Sequence, residues 1–373
     1  MSPFIDRLRT RLLIQSIIPR STADHSIIHS FNHSKLNPRR YSIIIPVYNR
    51  PDELEELLGC LAVQTYKNFE VVIVEDGSKI KADEVVKSFA GKLDIHYHYK
   101  ENGGQGFARN YGFERAAGDY FILLDSDALI EPNYLSIVEN RLNTDYVDLY
   151  GGPDTDHPSF TPIQKAISYS MTSVFTTGGI RGKKNNMGGT FHPRSFNMGL
   201  SRKVWERTGG FLTSRMGEDI LFSIAALRLG FKSALIPEAF IYHKRRTQFG
   251  AFFRQLKFFG RARINIARYY PDELKLVHTF PLLFTLGVCS IPLWYFIFEP
   301  FFYLGLWFLG IYVTLLFIDA FKKTKSAEVA FLSIGAAFVQ LFGYGIGFVQ
   351  EGWKRLWENK SHRETGAAIE YPS

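Results

Sequence analysis

The sequence predicts an α/β fold in which a mostly parallel central sheet is followed by C-terminal transmembrane helices. Three observations support this prediction. Apolar strand-like runs alternate with amphipathic helical runs over the first part of the chain, which is the rhythm of a parallel sheet with right-handed crossovers. The strand runs are apolar along almost their whole length, as strands covered on both faces are. Two long uncharged stretches lie in the last quarter of the 373 residues.

The elements of the predicted sheet follow one another along the chain. The run YSIIIPV, Tyr41–Val47, is apolar and β-branched and predicts a strand, and residues 52–63 place leucines at helical spacing. Ligands of parallel sheets bind at the carboxyl ends of the strands, so polar residues at those ends are the candidate site residues. The later strands are predicted at residues 69–75, 94–99 and 119–125, and the helices between them at residues 83–89 and 105–117.

The predicted strand at residues 119–125 ends in the pattern Asp-Ser-Asp. Side chains alternate along a strand, so Asp125 and Asp127 face the same side, where two carboxylates repel each other unless a cation lies between them. Carboxylates are suitable ligands for Mg²⁺ or Mn²⁺, and such an ion would hold a diphosphate. The alternative is an exposed acidic turn. A calcium-binding helix-loop-helix fits poorly, because Ile130 stands where its sixth position needs glycine.

Two further segments near the strand ends carry candidate binding residues. Asp76 could accept hydrogen bonds from a ribose or a base, with an ordinary turn as the alternative. In the segment NGGQG, Gly104 gives the backbone freedom beside a helix N-terminus that could face phosphate. Arg109 stands where a dinucleotide-binding fingerprint would have its third glycine. Its guanidinium could pair with a phosphate or with the acidic site, or form a structural salt bridge.

Two carboxylates and a histidine later in the chain are also candidates. Glu218 and Asp219 lie at the start of a predicted helix, where a carboxylate ordinarily satisfies free backbone amides. The same position suits a general base that activates an acceptor hydroxyl. His243 follows a strand predicted at residues 231–236 and could supply a third metal ligand, whereas a lone histidine is more often structural.

Charge and cysteine content restrict the class of partner and the compartment. The formal net charge is +8, which suits an anionic membrane surface or phosphate-bearing substrates. No nucleic-acid-binding motif accompanies this charge, so nucleic acid is not an expected partner. The two cysteines, Cys60 and Cys289, lie far apart and cannot build a disulfide framework or a zinc site, which agrees with a reducing compartment.

Uncharged runs in the last quarter predict a membrane protein. Residues 277–298 and 301–318 contain no Asp, Glu, Lys or Arg and are each close to the length that spans a bilayer. Residues 329–349 are diluted by glycines, so the third run is either a spanning helix or a buried helical subdomain. Three lysines after the second run favour the cytoplasmic side, which places the preceding domain in the cytosol. These are Lys322, Lys323 and Lys325.

Six segments, taken in order, resemble the family 2 glycosyltransferases, inverting enzymes with the A-type glycosyltransferase fold. The resemblance covers residues 41 to about 270, a span that suits one domain. It implies a single nucleotide-diphospho-sugar transferase domain. The segments are IIIPVYNR, VEDGS, NGGQGFARNYGFERAAGDYFILLDSD, FNMGLSRKVWERTGGF, GEDILF and YHKRR.

The resemblance also implies roles for particular residues. Asp219 would be the catalytic base, with Glu218 beside it on the acceptor side, and His243 would complete a metal site with the metal-diphosphate motif of Asp125 and Asp127. Asn197 would begin a strand below the sugar pocket, and Arg245 or Arg246 would reach the diphosphate. The residues expected to line the nucleotide pocket are Pro46, Tyr48, Asn49 and Asp76, and Gly104 and Arg109 are candidates for the phosphate side.

Two departures from the family pattern refine the expected activity. Glu75 stands where the family often has a second aspartate, which puts the nucleotide contact there in doubt. No Gln-x-x-Arg-Trp follows the expected base, and this pattern is the signature of the processive members. The expectation is therefore transfer of one sugar per event, from a nucleotide-diphosphate sugar to a membrane-associated, lipid-linked glycan of the cell envelope. The alternatives are transfer onto polyprenyl phosphate and an inactive membrane scaffold with the same fold.

The expected organisation has five parts along the chain. Residues 1–40 form a basic amphipathic segment and linker, and residues 41–246 form the catalytic domain. Residues 247–275 form a basic amphipathic helix, either at the membrane interface or packed against the catalytic domain. Residues 277–350 contain two or three membrane helices, and residues 351–373 form a basic tail. The expected location is the cytoplasmic membrane, with several crossings and the catalytic domain in the cytosol.

Overall fold

The structure is a computed structural model that describes residues 38–177 and 191–365, with side chains as far as residue 357. Residues 39–353 form one compact unit. The predicted amphipathic segment at residues 1–40 lies outside the described residues except for its last three, and so do residues 366–373 of the predicted tail. The fold and the candidate site belong to the unit of residues 39–353.

Ten strands are assigned in the described residues. They are β1 (Tyr41–Val47), β2 (Phe69–Asp76), β3 (Ile95–Lys100), β4 (Tyr120–Leu124), β5 (Ala128–Leu129), β6 (Leu149–Gly151), β7 (Asp154–Thr155), β8 (Asn197–Ser201), β9 (Ser233–Leu235) and β10 (Ile241–His243).

A seven-stranded sheet of the described residues has the order β3-β2-β1-β4-β8-β6-β9. β1 pairs in parallel with β2 and β4, β2 with β3, and β6 with β9. β8 is antiparallel to both of its neighbours, β4 and β6. A smaller sheet has the order β5-β10-β7. The predicted α/β fold with a mostly parallel sheet is confirmed.

The helices of the catalytic region alternate with these strands. They are α1 (Pro51–Ala62), α2 (Asp83–Phe89), α3 (Gln105–Phe113), α4 (Tyr134–Thr144), α5 (Pro162–Thr172), α6 (Val174–Thr177), α7 (Arg202–Thr208), α8 (Glu218–Arg228) and α9 (Phe249–Tyr269).

Two helix boundaries have a direct physical cause. α1 begins at Pro51, and proline suits the first turn because the amide it lacks would have no helical partner there. α3 ends at Phe113, earlier than the predicted residue 117. The backbone amide of Gly118 instead donates to Ser42 Oγ at 2.8 Å, which turns the chain into β4.

The core lies on both faces of the large sheet because successive side chains of a strand point to opposite sides. Ile43 and Ile45 of β1 belong to one buried cluster, which the leucines of α1 complete. Ile44 belongs to the other cluster, together with Phe113 of α3 and Phe211. Each strand is thereby covered on both faces, as its continuous apolar sequence predicts. The site residues are confined to the edge where the strands end.

Three helices of the described residues are long and apolar enough to cross a membrane. The candidate spans are Leu276–Ile297, Glu299–Thr324 and Ala327–Trp357. The most apolar windows of the first two are 0% and 6% buried within the protein, whereas that of the third is 50% buried. The helices in these spans are α10 (Phe280–Ile297), α11 (Glu299–Thr324) and α12 (Ala327–Thr365), and two short 3₁₀ turns, Pro271–Glu273 and Leu276–Thr279, precede α10.

The third apolar helix is half-buried because α9 and α12 cross at glycines. A Cβ atom on Gly260 of α9 would lie 2.1 Å from the carbonyl oxygen of Tyr344, and one on Gly347 of α12 would lie 2.0 Å from that of Lys257. Phe252 of α9 is buried in a cluster with residues of α5 and α12. The apolar side of α9 is therefore covered by protein at this crossing.

Replacing Gly347 by alanine is expected to destabilise the protein. The added methyl group would clash with the backbone of α9, and overpacking of this kind costs about 1–3 kcal/mol. The measurement is the apparent melting temperature of the full chain in detergent. Gly352→Ala on the same helix is the control, because a Cβ there would meet no heavy atom of the described chain within 4 Å. An equal decrease in both variants would contradict the close crossing.

Candidate active site

Three possible metal ligands meet at the carboxyl end of β4. Asp125 follows Leu124, the last residue of β4, and Asp127 precedes β5. β10 pairs antiparallel with β5, and this pairing sets His243 opposite Ala128. One ligand atom from each of Asp125, Asp127 and His243 lies within 4.8 Å of the other two. The structure therefore brings together the three residues that the sequence indicates as metal ligands.

Asp127 lies between two cationic groups. Arg50 Nη1 is 2.6 Å from Asp127 Oδ2, and His243 Nε2 is 3.2 Å from Oδ1. Burial alone would raise the pKa of Asp127, but the His243 imidazole and the Arg50 guanidinium outweigh burial and hold this pKa below its ordinary value. Arg50 belongs to the segment IIIPVYNR but was not among the predicted site residues.

The chemistry of these side chains fits a divalent cation. Two carboxylates and an imidazole are ligands that Mn²⁺ accepts, and carboxylates also suit Mg²⁺. Asp127 Oδ1 is buried and makes no hydrogen bond of acceptable geometry to any described residue. Burial would lower the pKa of His243, but Asp127 outweighs burial and raises it to about 9. A divalent cation would replace this proton, because an imidazole that binds metal is neutral.

A carboxylate that the sequence analysis missed lies behind the histidine. Asp154 Oδ2 is 3.9 Å from His243 Nδ1, on the side of the ring away from Asp127. Metal-binding histidines commonly have such a carboxylate on their second nitrogen, which orients the ring. Asp154 Oδ2 is also 2.5 Å from Arg245 Nη2, and Arg245 is buried. Arg245 therefore lies against Asp154, while its neighbour Arg246 is exposed.

Arg109 links the possible metal ligands to the two carboxylates of α8. Its side chain is 0% exposed, its Nη2 is 2.7 Å from Asp125 Oδ1, and its Nη1 is 3.5 Å from Glu218 Oε1. The sequence left a phosphate, the acidic site and a structural salt bridge as alternatives for Arg109. In the structure Arg109 contacts the acidic site through Asp125. One buried guanidinium thus connects the end of β4 with the start of α8.

Glu218 and Asp219 occupy the first turn of α8, where the helix dipole favours negative charge. Burial and the neighbouring charge of Asp219 raise the pKa of Glu218, and Arg109 opposes this effect. Asp219 Oδ2 is 3.5 Å from Nη1 of Arg194, a residue that the sequence analysis did not single out. The two adjacent carboxylates therefore have different partners, Arg109 for Glu218 and Arg194 for Asp219.

Asp76 holds the glycine loop in place at the end of β2. Its carboxylate accepts hydrogen bonds from the backbone amides of Gly103 at 2.9 Å and Gly104 at 2.8 Å, and from Lys100 Nζ at 2.7 Å. Gly104 has a φ of 92°, a conformation that favours glycine. A carboxylate has about four acceptor positions, so Asp76 has capacity for a further donor. The structure therefore brings Asp76 and Gly104 together.

The loop after β1 carries the other predicted nucleotide-side residues. Pro46 lies in β1 opposite Val74 of β2. The side chain of Tyr48 is 47% exposed and is available to a ligand. Asn49 Oδ1 accepts a hydrogen bond from the amide of Lys79 at 2.7 Å, and this bond ties the loop after β1 to the loop after β2.

Two other residues have structural partners. Glu75, the departure from the family pattern, is buried and accepts hydrogen bonds from the amide of Ala82 at 2.9 Å and the hydroxyl of Tyr97 at 3.0 Å. Asn197 is also buried. Its Nδ2 donates to the carbonyl of Ala239 at 2.8 Å, and its Oδ1 accepts from the hydroxyl of Tyr134 at 2.5 Å. The Asn197 side chain therefore joins β8 to neighbouring segments.

Comparison with known proteins gives the site its family context. Residues 42–209 match the family model described as Glycosyl transferase family 2. This region is similar to family 2 glycosyltransferase domains. An uncharacterised glycosyltransferase of Rickettsia typhi is 46% identical over 102 residues, which are 27% of this chain and 31% of that protein. The hyaluronan synthase of Pasteurella multocida is 29% identical over 236 residues, which are 54% of this chain and 24% of that protein. The chain therefore covers about a third or less of the length of these relatives.

A solved structure is similar to the chain over almost its whole length. The mannosyltransferase PcManGT from Pyrobaculum calidifontis, solved in complex with GDP-Man and Mn²⁺, has a TM-score of 0.54 and 17% sequence identity, with 95% of each chain covered. At this identity the similarity concerns the fold. It agrees with the central sheet and the apolar C-terminal helices described above.

The region that matches the family model contains only part of the candidate site. Asp76, Arg109, Asp125 and Asp127 lie within residues 42–209, whereas Asp219 and His243 lie beyond them. The β5–β10 pairing and the contact of Arg109 with Glu218 bring the later residues to the domain. The arrangement as a whole joins possible metal ligands, a glycine loop and a carboxylate at a helix start.

Proposed function

We propose that this protein is an inverting, metal-dependent, nonprocessive glycosyltransferase that moves one sugar from a nucleotide-diphosphate sugar to a hydroxyl of a lipid-linked glycan. The observation that carries the proposal is the contact of Arg109 with both Asp125 and Glu218. This contact supports the proposal because it connects the possible metal ligands at the end of β4 with the first turn of α8, where the possible base Asp219 follows Glu218. A transferase that inverts configuration needs these two functions on opposite sides of the reacting carbon.

In the proposed reaction, Asp219 acts as the general base. The acceptor hydroxyl gives its proton to Asp219 while its oxygen forms a bond to the anomeric carbon of the donor sugar. The bond from that carbon to the diphosphate oxygen breaks, and the nucleoside diphosphate leaves with the electron pair. Attack from the side opposite the leaving group inverts the configuration. Arg194 Nη1 lies 3.5 Å from Asp219 Oδ2 and would help to orient this carboxylate.

The departing diphosphate needs positive charge. A divalent cation held by Asp125, Asp127 and His243 would supply part of it as a Lewis acid. Arg50, which contacts Asp127 at 2.6 Å, is a second source of positive charge at the same place. Asp154 would hold the His243 ring in the orientation that leaves Nε2 toward the ion. The complex of the similar mannosyltransferase with GDP-Man and Mn²⁺ suggests which ligands to test first.

We also propose that the protein resides in the cytoplasmic membrane with the family 2 domain in the cytosol. Support comes from the three candidate spans and from the lysines that follow the second one. A membrane-held donor site suits an acceptor that is itself in the membrane. A role in the synthesis of cell-envelope polysaccharide is part of this proposal.

A thermal-shift panel of nucleotide-diphosphate sugars, with Mn²⁺ or with EDTA, tests the proposal on the purified full chain. A donor bound at 100 times its Kd would stabilise the folded state by about 2.7 kcal/mol. We expect at least one donor to raise the melting temperature only when Mn²⁺ is present. Release of nucleoside diphosphate from that donor is the second readout. No stabilisation by any donor with Mn²⁺ would contradict the proposal.

Asp127→Asn is expected to weaken Mn²⁺ binding by at least about 100-fold, because loss of residues that merely support a metal ligand already costs 10- to 100-fold. Titration calorimetry or Mn²⁺ electron paramagnetic resonance measures the affinity directly. Asp94→Asn is the matched control. Asp94 belongs to a second group of two acids and a histidine, Glu70, Asp94 and His96, which lies elsewhere in the structure. If both variants bind Mn²⁺ as the unmodified protein does, the metal site is wrongly placed.

A further inference from the structure

The third apolar helix, α12, contacts the hairpin of α10 and α11 toward the end that is far from the hairpin's turn. The ring of Phe338 lies against Phe284 of α10 and Tyr312 of α11, with centroid distances of 5.6 and 6.3 Å. Phe284 and Tyr312 also contact each other at 5.3 Å, so α10 and α11 run side by side here. Each of these two residues is about 13 residues from the turn, which is about 20 Å along a helix.

Two further contacts of α12 lie at nearly the same level of the hairpin. The ring centroid of Phe331 is 4.7 Å from that of Phe317 in α11, and a Cβ atom on Gly345 would lie 2.9 Å from the carbonyl oxygen of Pro281 in α10. Phe317 is about 27 Å from the turn and Pro281 about 24 Å. From Phe331 to Gly345, α12 advances by about 21 Å, while the level along the hairpin changes by less than about 10 Å. Helix α12 therefore lies across the hairpin, nearer to perpendicular than to parallel.

Helix α9 holds the second half of α12 beside the catalytic region. Glu351 of α12 is buried, and its Oε2 is 2.9 Å from Nε of Arg261 in α9. Further along α9, Asn265 Nδ2 donates to the carbonyl of Met216, just before α8, at 3.0 Å. A helix that crossed a bilayer from Ala327 would carry Glu351 about 36 Å away, past the far face of a hydrocarbon core about 30 Å thick. The ion pair instead keeps Glu351 on the side of the catalytic region.

After its contact with α10, helix α12 has an exposed apolar face. We call this face the α12 stripe, and it consists of Ile346, Val349 and Trp353, which are 42%, 45% and 62% exposed. Spacings of three and four residues place them on one side of a helix. The stripe begins one residue after Gly345, so it continues the surface of α10 and α11, whose apolar windows are 0% and 6% buried. This continuity favours lipid of the same bilayer as the occupant, and tryptophan suits the boundary of lipid and water.

We propose that α12 does not cross the membrane but lies along its surface on the side of the catalytic domain, with the α12 stripe in contact with lipid at the headgroup level. This inference goes beyond the proposed sugar transfer and rests on the proposed membrane location, in which α10 and α11 cross the bilayer. The chain then crosses the membrane twice. Lys354 and Arg355 stay on the same side as the lysines that follow α11, which agrees with the preference of basic residues for the cytoplasmic side.

The first test is labelling of single cysteines by a maleimide that cannot cross the membrane, with the full chain in the cytoplasmic membrane of a bacterial host. Cys60 and Cys289 are replaced by alanine. Gln350→Cys reports α12, Glu299→Cys reports the turn of the hairpin, and Glu114→Cys reports the catalytic domain, since all three residues are exposed. Spheroplasts present the outer face of the membrane to the reagent, and inverted vesicles present the inner face. The melting temperature of each variant shows whether its fold is retained.

We expect Gln350→Cys and Glu114→Cys to be labelled in inverted vesicles and not in spheroplasts, and Glu299→Cys to show the opposite pattern. Labelling of Gln350→Cys in spheroplasts would show a third crossing and overturn the inference. Labelling of this variant from neither side would also overturn it, because the exposed face of α12 would then be covered. If Glu299→Cys were not labelled in spheroplasts, the hairpin would not cross, and the proposed membrane location would be contradicted instead.

The second test measures lipid contact of the α12 stripe with a fluorophore on Val349→Cys, in phosphatidylcholine nanodiscs that contain nitroxide-labelled lipid. We expect a nitroxide near the headgroup to quench this fluorophore more than a nitroxide near the chain end. Phe308→Cys is the matched control, because Phe308 is 58% exposed and about 14 Å from the turn along α11, near the middle of the bilayer, and should show the reverse order. Absence of quenching at Val349→Cys would overturn the proposed lipid contact, and a dimeric mass of the same sample would assign the stripe to a second copy of the chain.

Discussion

Asp219→Asn is expected to keep donor binding and to lose about 10²- to 10⁴-fold in turnover, the range that general base catalysis contributes. The amide is nearly the same size as the carboxylate but cannot take a proton from the acceptor hydroxyl. Asp219 lies in the first turn of α8, beside Arg194 and outside the group of possible metal ligands. Its substitution should therefore leave the donor's phosphates in place. The readouts are the initial rate of sugar transfer and the donor-induced thermal shift.

The matched control for this prediction is Asp272→Asn. Asp272 is also paired with an arginine, Arg228, at 2.6 Å, but it is exposed and has no part in the proposed reaction. Water screens an exposed ion pair and its loss costs little, so this variant should turn over normally. A difference between the two variants would then report the chemistry of Asp219 and exclude a general effect of losing an arginine partner.

Near-normal turnover of Asp219→Asn would mean that the acceptor oxygen needs no base. That result would favour direct transfer onto polyprenyl phosphate, whose phosphate oxygen is already ionised. Loss of donor binding in the same variant would instead place Asp219 on the donor side. The two outcomes are distinguished by the same pair of measurements.

The main elements of the fold could be predicted from local sequence patterns. The run YSIIIPV has the bounds of β1, because β-branched apolar residues and a terminal turn are local signals. The ends of α3 and β2 differ from the prediction because distant contacts set them. The backbone amide of Gly118, for example, donates to Ser42 Oγ, and α3 ends at Phe113 instead of residue 117.

For the third apolar helix, hydropathy alone does not decide between two structures. Glycines lower the average hydropathy of the run, and the sequence therefore left a spanning helix and a buried subdomain as alternatives. In the structure, two of these glycines, Gly343 and Gly347, lie against the backbone of α9. Small residues that permit close helix crossings are expected where apolar helices pack. The glycines that lower the mean hydropathy of this helix thus also explain why the helix is half-buried.

The charged partners of the site residues were the least predictable part. Arg50, Asp154 and Arg194 contact Asp127, His243 and Asp219 respectively. Ion pairs between residues distant in sequence have no periodic signature, so only the fold shows them. For Asp154 one local signal existed, because Asp154-Thr155-Asp156 repeats the Asp-x-Asp pattern of residues 125–127.

Arg109→Met is expected to lower the free energy of unfolding by about 3–5 kcal/mol, the cost of removing one partner from a buried ion pair. The Arg109 side chain is 0% exposed and contacts both Asp125 and Glu218. Methionine fills much of the same volume beside Phe211, so the expected loss comes mainly from carboxylates left without their cation. The apparent melting temperature in detergent measures the effect.

Arg228→Met is the matched control for the buried arginine. Arg228 Nη2 lies 2.6 Å from Asp272, so the pair is as short as that of Arg109, but both side chains are exposed. Water screens an exposed pair, and its loss should change the melting temperature little. Equal effects of Arg109→Met and Arg228→Met would contradict the account in which burial sets the cost.

A double variant separates lost charge from lost packing. If Arg109→Met destabilises because Glu218 is left ionised and buried, then adding Glu218→Gln should restore part of the melting temperature, since a neutral amide costs less to bury than a carboxylate. If the loss came from packing against Phe211, the second substitution would restore nothing. Because burial already raises the pKa of Glu218 and Arg109 opposes that effect, the single variant should also bind a proton at Glu218 more readily. Destabilisation by Arg109→Met should therefore be smaller at acidic pH, where protonated Glu218 no longer needs a cation.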